Sequence, residues 1–409
     1  LKVYLTNTIE NKTISVNIPG SKSESNRLLI LKKIYPNIFL HNLSNCDDTL
    51  ALSRGIEAKN GIVDVHHAGT AMRFLTGFFA SKKDIELTLT GSKRMQERPI
   101  KILVDALRLI GADISYVRNN GYPPLKINGK ELVLDSLSID ANISSQYISA
   151  LMLIAPSLPK GLTITLKNKI TSVPYIKMTL ELLCRIGIYC TLNNNIVKIT
   201  STKTIKDITI NIESDWSSAS YYYSLVALSE HLEITLKTFK RDSIQGDSKV
   251  VDFYKKIGVD TIFNETDNAI TLRKNQKKIE NFLSFNLIET PDIAQTIAVT
   301  CFGLGISCEL TGLKTLKIKE TDRLLALKIE LQKLGAELTI TEKSLFLKQR
   351  KTINKNIVID TYDDHRMAMS FAPLYLKVPI IINNPNVVSK SYKTFWKDLQ
   401  KIGGKVLIK

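Results

Sequence analysis

The 409-residue sequence has no apolar run of the ~18–20 residues that spanning a bilayer requires. The best candidate, the uncharged stretch 293–308, includes Gln295, Gly303 and Gly305, so a membrane protein is not expected. The opening residues, LKVYLTNTIENK, lack an apolar segment and are not expected to form a signal peptide. Cysteine is sparse and scattered, at Cys46, Cys184, Cys190, Cys301 and Cys308. No CxxC occurs and no histidine stands at zinc-ligand spacing beside them. A disulfide framework and a zinc module are therefore excluded, and a reducing cytoplasm is expected. No GxGxxG follows a strand, which excludes a doubly wound dinucleotide-binding sheet. Acidic residues are in deficit, 39 Asp+Glu against 56 Lys+Arg, for a formal charge of +17. A nucleic-acid-binding protein would concentrate its cations on one segment with interleaved aromatics. Here the lysines are spread along the chain, which leaves small anionic substrates as the sharper reading.

A repeat is present. An amphipathic helix, a glycine, a short strand, a polar turn and a second strand recur around Gly111, Gly187, Gly258, Gly335 and Gly403. The helical spacing is clear in Leu103, Leu107 and Ile110, and the strand alternation in 336–340. The glycine after each helix predicts a left-handed C-cap. A sixth copy is expected near Gly55. Units of this length are long for a solenoid. Three units in each of two domains, in an α/β fold with mixed sheets, fit better.

Polar clusters sit where loops run into these helices. PGSKSESNR (19–27) offers Ser23 or Ser25 as an N-cap and puts Lys22 and Arg27 at the positive end of a helix, where cations are disfavoured unless an anion is bound. HAGTAMR (67–73) contains Gly69, which permits close approach of a ligand to the backbone. The adjacent His66 and His67 point apart and hold no metal. RMQERP (94–99) places Arg98 before Pro99, the expected first helical residue. Ser144-Ser145-Gln146 and Ser172-Val173-Pro174-Tyr175 read as caps whose hydroxyls and N–H groups can hold phosphate. Asp292, the run Lys319-Glu320-Thr321-Asp322-Arg323, the run Asp363-Asp364-His365-Arg366, and Lys390 complete the set. Lys22, Arg27, Arg98, Lys319, Arg323, Arg366 and Lys390 make seven cations at helix starts. Converging, they would form one strongly positive cleft.

At these residues the chain resembles the 5-enolpyruvylshikimate-3-phosphate synthases. GSKSESNR, AGTAMR, RMQERP, SSQY, TSVPY, PDIAQT, KETDR, YDDHRMAM and SKSY occur in that family's order, from Pro19 to the last helix. The resemblance implies a two-domain inside-out α/β barrel of six βαβαββ repeats, three per domain, with helix N-termini facing an interdomain cleft. It implies one domain of residues 19–213 and another of 1–18 plus 214–409. It also implies transfer of the enolpyruvyl group of phosphoenolpyruvate to the 5-hydroxyl of shikimate 3-phosphate, releasing phosphate, by a cytoplasmic monomer that uses no metal or organic cofactor, no nucleic acid and no membrane.

Carried over by motif, the proton-transfer candidates are Lys22, Asp292 and Glu320. Shikimate 3-phosphate would meet Lys22, Ser23, Arg27, Ser144, Ser145, Gln146, Ser172, Tyr175, Asp292, Thr315 and Lys319. Phosphoenolpyruvate would meet Lys22, Gly69, Arg98, Gln146 and Lys390 at its phosphate, and Arg323 and Arg366 at its carboxylate. Two phosphates and two carboxylates bring roughly −5 to −6 against the seven cations, so the empty cleft is expected to repel itself. His67, Phe74 and Thr315 depart from residues common in the family (Asn, Pro and Asn). Gly69 implies sensitivity to glyphosate, which in this family competes with phosphoenolpyruvate. The alternatives are the UDP-N-acetylglucosamine enolpyruvyl transferases, which share the fold, and a basic nucleic-acid-binding protein. Many of those transferases carry a cysteine in the loop that here reads RMQERP.

Overall fold

Four-stranded sheets recur along the chain in one pattern. The computed structural model describes residues 1–7, 12–142, 144–168, 170, 172–350 and 352–409. Thr171, first residue of the TSVPY motif, lies outside the described residues. The chain forms two compact units, one of Leu1–Pro19 with Glu213–Lys409, the other of Gly20–Ile212.

In the Gly20–Ile212 unit, strand Asn60–Asp64 pairs in parallel with Glu86–Thr90, which pairs antiparallel with Leu125–Asn128, itself hairpinned to Asp113–Tyr116. Helix Gly69–Ala80 bridges the parallel pair, and helix Lys101–Leu109 leads into the hairpin. The same arrangement joins Ser136–Asp140, Leu162–Lys167, Ile196–Ile199 and Cys190–Asn193, with helices Ser145–Ile154 and Val173–Arg185. This is the α/β repeat read from the glycine spacing. Its two helices differ for a physical reason. The bridging helix is apolar on every side, so all of Gly69–Ala80 is buried. The second helix is amphipathic and buries one stripe, Leu103, Val104, Ala106 and Leu107.

The expected copy near Gly55 needs correction. Among the described residues, helix Asp47–Gly55 is followed directly by Asn60–Asp64, with no hairpin, and the adjoining sheet has two strands, Ile38–His41 and Ile208–Asn211. Gly55 is a helical residue and not a left-handed cap. A Cβ there would meet Leu75 Cδ1 at 2.8 Å, so this glycine serves close packing. The other five glycines do take left-handed φ values, from 88° at Gly187 to 107° at Gly111.

The Leu1–Pro19 with Glu213–Lys409 unit holds three four-stranded sheets. One of them is closed by the start of the chain: Lys2–Asn7 lies between Ile380–Asn383 and Gly404–Ile408. Reciprocal bonds of 2.8 and 2.9 Å join Lys2 and Lys409. The first strand of the sequence thus completes the last repeat. Helices Trp216–Leu228, Ala294–Leu304 and His365–Phe371 form the buried interior of this unit. No described helix is long and apolar enough to cross a membrane, and no described group of three or more His, Cys, Asp or Glu side chains could hold a metal.

Candidate active site

The helix starts of the Gly20–Ile212 unit carry a set of anion-directed groups. Helix Lys22–Ile34 is capped by Ser21, whose hydroxyl accepts from the Glu24 N–H at 3.4 Å, and not by Ser23 or Ser25 as expected. That shift of cap makes Lys22 the first helical residue. Its ammonium is 3.5 Å from Asp48, in the first turn of the neighbouring helix. One turn on, Arg27 is 2 % exposed. Its guanidinium donates to Thr179 Oγ1 (2.8 Å), Ser149 Oγ (3.0 Å) and the Ser23 carbonyl (2.8 Å). The rings of Phe74 and Tyr175 lie 5.4 and 5.7 Å from its Cζ. Burial lowers the Arg27 pKa to about 10, against the opposing influence of Tyr175 and Glu24. Phe74, one of the departures from the family pattern, therefore supplies a cation–π face to a predicted binding residue.

Gly69 and Arg98 meet. A Cβ on Gly69 would come within 2.7 Å of Arg98 Nη1. Pro99 does not open the next helix as expected. Ile100 is the N-cap of Lys101–Leu109, and Pro99 precedes it. The loop is held instead through the Pro99 carbonyl, which accepts from Arg73 Nη2 (3.3 Å) and Tyr147 OH (2.5 Å). Gln146 donates to Thr70 Oγ1 at 3.3 Å, joining the starts of two helices. Ser144 caps its helix as predicted, accepting from the Gln146 N–H. Ser172 does not: it sits at φ 54°, left-handed, and its hydroxyl makes no capping bond. His67 is hydrogen-bonded to Ser92 (2.8 Å) beside the Arg94–Pro99 loop.

In the other unit, the predicted residues Asp292, Lys319, Glu320, Arg323 and Arg366 converge. Arg323 is 2 % exposed and gripped by three carboxylates: Asp364 Oδ2 at 2.6 Å, Glu320 Oε2 at 2.7 Å and Asp292 Oδ1 at 2.9 Å. Burial alone would lower its pKa, but Asp364, Glu320 and Asp292 outweigh it and the net shift is upward. Asp292 also lies 3.1 Å from Arg366 Nη2 and 3.5 Å from Lys319 Nζ. Asp322 caps helix Arg323–Lys333, and Asp364 caps His365–Phe371 while holding Arg323. Lys390 donates to the Asp363 carbonyl at 2.6 Å. Thr315 stands apart, its buried hydroxyl lacking a hydrogen-bond partner among the described residues.

The expectation of uncompensated positive charge is not met in this unit. Lys319, Arg323 and Arg366 face Asp292, Glu320 and Asp364, so the cluster is close to neutral as it stands. Counting cations at helix starts left these acids out of the sum.

Sequence reasoning also missed the residues behind the cluster. Asp247 accepts a short hydrogen bond from Ser217, whose hydroxyl in turn accepts from Arg366 Nη2 (3.4 Å). Burial, then the charge of Asp292, raises the Asp247 pKa to about 7. Tyr362 and Asp363 are consecutive non-glycine residues at positive φ, 52° and 53°. The fully buried Glu330 holds this kink, accepting from Tyr362 OH at 2.6 Å and from the Asp360 N–H at 3.1 Å. An acid inside the apolar stripe of helix Arg323–Lys333 was the one sequence signal available for it.

Chemically, the cluster offers two planar guanidiniums for carboxylate or phosphate oxygens beside carboxylates able to move a proton. Comparison with known proteins then places the chain. Residues 48–399 match the family model described as EPSP synthase (3-phosphoshikimate 1-carboxyvinyltransferase). A 3-phosphoshikimate 1-carboxyvinyltransferase of Bacteroides fragilis (strain YCH46) is 43% identical over 404 residues, covering 98% of each chain. One from Neisseria meningitidis serogroup C is 33% identical, covering 94% of this chain and 95% of its own. A solved EPSP synthase from Acinetobacter baumannii superposes with a TM-score of 0.80 over 100% of both chains, at 20% identity, and so has the same fold.

Proposed function

The chain belongs to the EPSP synthase (3-phosphoshikimate 1-carboxyvinyltransferase) family, and from that premise we infer how its residues divide the reaction. The enzyme is a transferase of the shikimate pathway. It moves the enolpyruvyl group of phosphoenolpyruvate to the 5-hydroxyl of shikimate 3-phosphate and releases phosphate. The chemistry is addition to the vinyl group followed by elimination, so one group takes the hydroxyl proton and another delivers a proton to the vinyl carbon.

The observation that supports the assignment of roles best is the grip of three carboxylates on Arg323. A carboxylate arriving from phosphoenolpyruvate has to compete for that guanidinium. Asp364 is fully buried and contributes two contacts, at 2.6 and 3.4 Å, while Glu320 contributes one and is more exposed. Glu320 is the partner that yields. Once displaced from Arg323 by the substrate, it carries the proton. Asp292, in contact with Arg323, Arg366 and Lys319, orients the shikimate 3-phosphate hydroxyl together with Lys319. Lys22 and Arg98 take the departing phosphate of phosphoenolpyruvate with Lys390, beside the Gly69 N–H and Gln146. Arg27 and Tyr175, with Ser23, Ser144, Ser145, Ser172 and Thr315, complete the shikimate 3-phosphate contacts. The enzyme acts as a cytoplasmic monomer without metal or organic cofactor.

The test is phosphate release by the purified protein. Release is expected only when both substrates are present, with one enolpyruvyl product per phosphate. Release with UDP-N-acetylglucosamine in place of shikimate 3-phosphate would overturn the reading.

A further inference from the structure

Cys184 and Cys190 lie outside the site described above. Cys184 is in the last turn of helix Val173–Arg185, and Cys190 begins strand Cys190–Asn193. Between them the chain reverses at Gly187, at φ 88°. The Gly187 N–H donates to the Cys184 carbonyl (2.9 Å) and the Ile188 N–H to that of Leu183 (3.0 Å), the two bonds of a Schellman cap. This turn brings the residues three before and three after the glycine together. It does the same at Gly111, where those residues are Arg108 and Ile114 and Arg108 Nε donates to the Ile114 carbonyl at 2.9 Å. At Gly187 the same two positions hold thiols, with their Sγ atoms 3.0 Å apart. That is about 1 Å more than the ~2.05 Å of a disulfide. The repeat geometry, not chance contact, sets the approach.

The two thiols are unlike each other and unlike the rest. Cys184 is exposed and Cys190 half-buried, whereas Cys46, Cys301 and Cys308 are buried. Cys190 is pushed up to about 12 by burial and by its neighbour Cys184. The thiol that solvent reaches is the outer one.

We propose that Cys184 and Cys190 form a modification site, a dithiol that a peroxide converts reversibly to an intramolecular disulfide. The Cys184 thiolate attacks one peroxide oxygen, the O–O bond breaks, and hydroxide leaves and is protonated to water. Cys184 is then a sulfenic acid. The Cys190 sulfur attacks the Cys184 sulfur, gives up its proton, and a second water leaves. In sum, two thiols and one hydrogen peroxide give one disulfide and two waters. Cys190 thus resolves Cys184 before a second oxidation can take it to sulfinic acid, which a thiol reductant does not reverse.

The test uses the full-length protein, reduced, freed of reductant, exposed to hydrogen peroxide, and blocked with N-ethylmaleimide in denaturant. Trypsin separates the two cysteines, into 178–185 and 186–198. The wild-type protein is expected to lose two of five maleimide adducts and to yield these fragments joined, with all adducts regained after dithiothreitol. In Cys190→Ser, fragment 178–185 is expected to gain two oxygens that dithiothreitol does not remove. Five maleimide adducts at a peroxide dose that fully oxidises added glutathione would overturn the proposal. So would a link between two chains in place of one within a chain, or the same dioxidised fragment from wild type and Cys190→Ser.

Discussion

A methyl group placed on Gly69 would stand 2.7 Å from Nη1 of Arg98, closer than real Cβ atoms come to a heavy atom. The glycine is thus the floor on which the Arg98 guanidinium rests. Gly69→Ala is expected to push Arg98 off its position and raise the KM for phosphoenolpyruvate about tenfold, the worth of one charge-assisted hydrogen bond. Glyphosate, longer than the substrate, should lose more, so the ratio of its Ki to that KM rises. Steady-state inhibition at fixed, low phosphoenolpyruvate checks both, and an unchanged KM would mean that Arg98 relaxes freely.

Glu320→Gln keeps a hydrogen-bonding partner for Arg323 Nη2, now 2.7 Å from Glu320, but cannot carry a proton. Turnover is expected to fall ~10²-fold or more, while shikimate 3-phosphate binding measured by calorimetry stays within about threefold. Equal losses in turnover and binding would make Glu320 a structural partner of Arg323 and no more.

Tyr362 supports the site from behind. Its hydroxyl donates to the buried Glu330 and fixes the left-handed pair Tyr362–Asp363, whose second carbonyl accepts from Lys390. Tyr362→Phe is expected to raise the KM for phosphoenolpyruvate several-fold with a smaller change in kcat, at a stability cost of about 1 kcal/mol. Glu330→Gln, which keeps an acceptor for the hydroxyl, should restore most of that KM effect relative to Glu330→Ala. Parallel kinetics and urea unfolding separate a loosened loop from a general loss of fold.

Asp247 makes stability depend on pH. Its folded pKa is about 7, from burial and the charge of Asp292, against 3.8 for the ordinary side chain. Between those values the folded chain holds a proton that the unfolded chain has lost. This contribution to stability is therefore complete below about pH 4 and disappears as pH rises through 7. Asp247→Asn, neutral throughout, is expected to gain stability relative to wild type between pH 5 and pH 8 by on the order of 1 kcal/mol or more. Urea unfolding at the two pH values decides it. A variant weaker than wild type at pH 8 would mean that the ionised Asp247 is stabilised by Arg366.

Much of this protein was legible before any fold was drawn. Periodicity and the glycines Gly111, Gly187, Gly258, Gly335 and Gly403 located the repeat, because a left-handed C-cap is a local backbone requirement that one residue type meets without cost. The cations Lys22, Arg98 and Arg323 stand out for a related reason: a cation where a helix begins conflicts with local preference, whereas Asp292 and Glu320 suit such positions and were named only by the resemblance. The helix starts were read two positions off at Ser23 and at Pro99, since several neighbouring residues satisfy the same local rule.

Charge balance and support were decided only in three dimensions. Asp364, Asp247, Ser217 and Glu330 lie far along the chain from the groups they hold, and no spacing rule connects Glu330 to Tyr362 or Asp364 to Arg323. The missing hairpin after Gly55 and the closing of the last sheet by Lys2–Asn7 belong to the same class. A sequence states what each segment prefers; which segments meet, and therefore which charges cancel, is settled by the packing of helices and sheets that brings distant residues within a few ångströms.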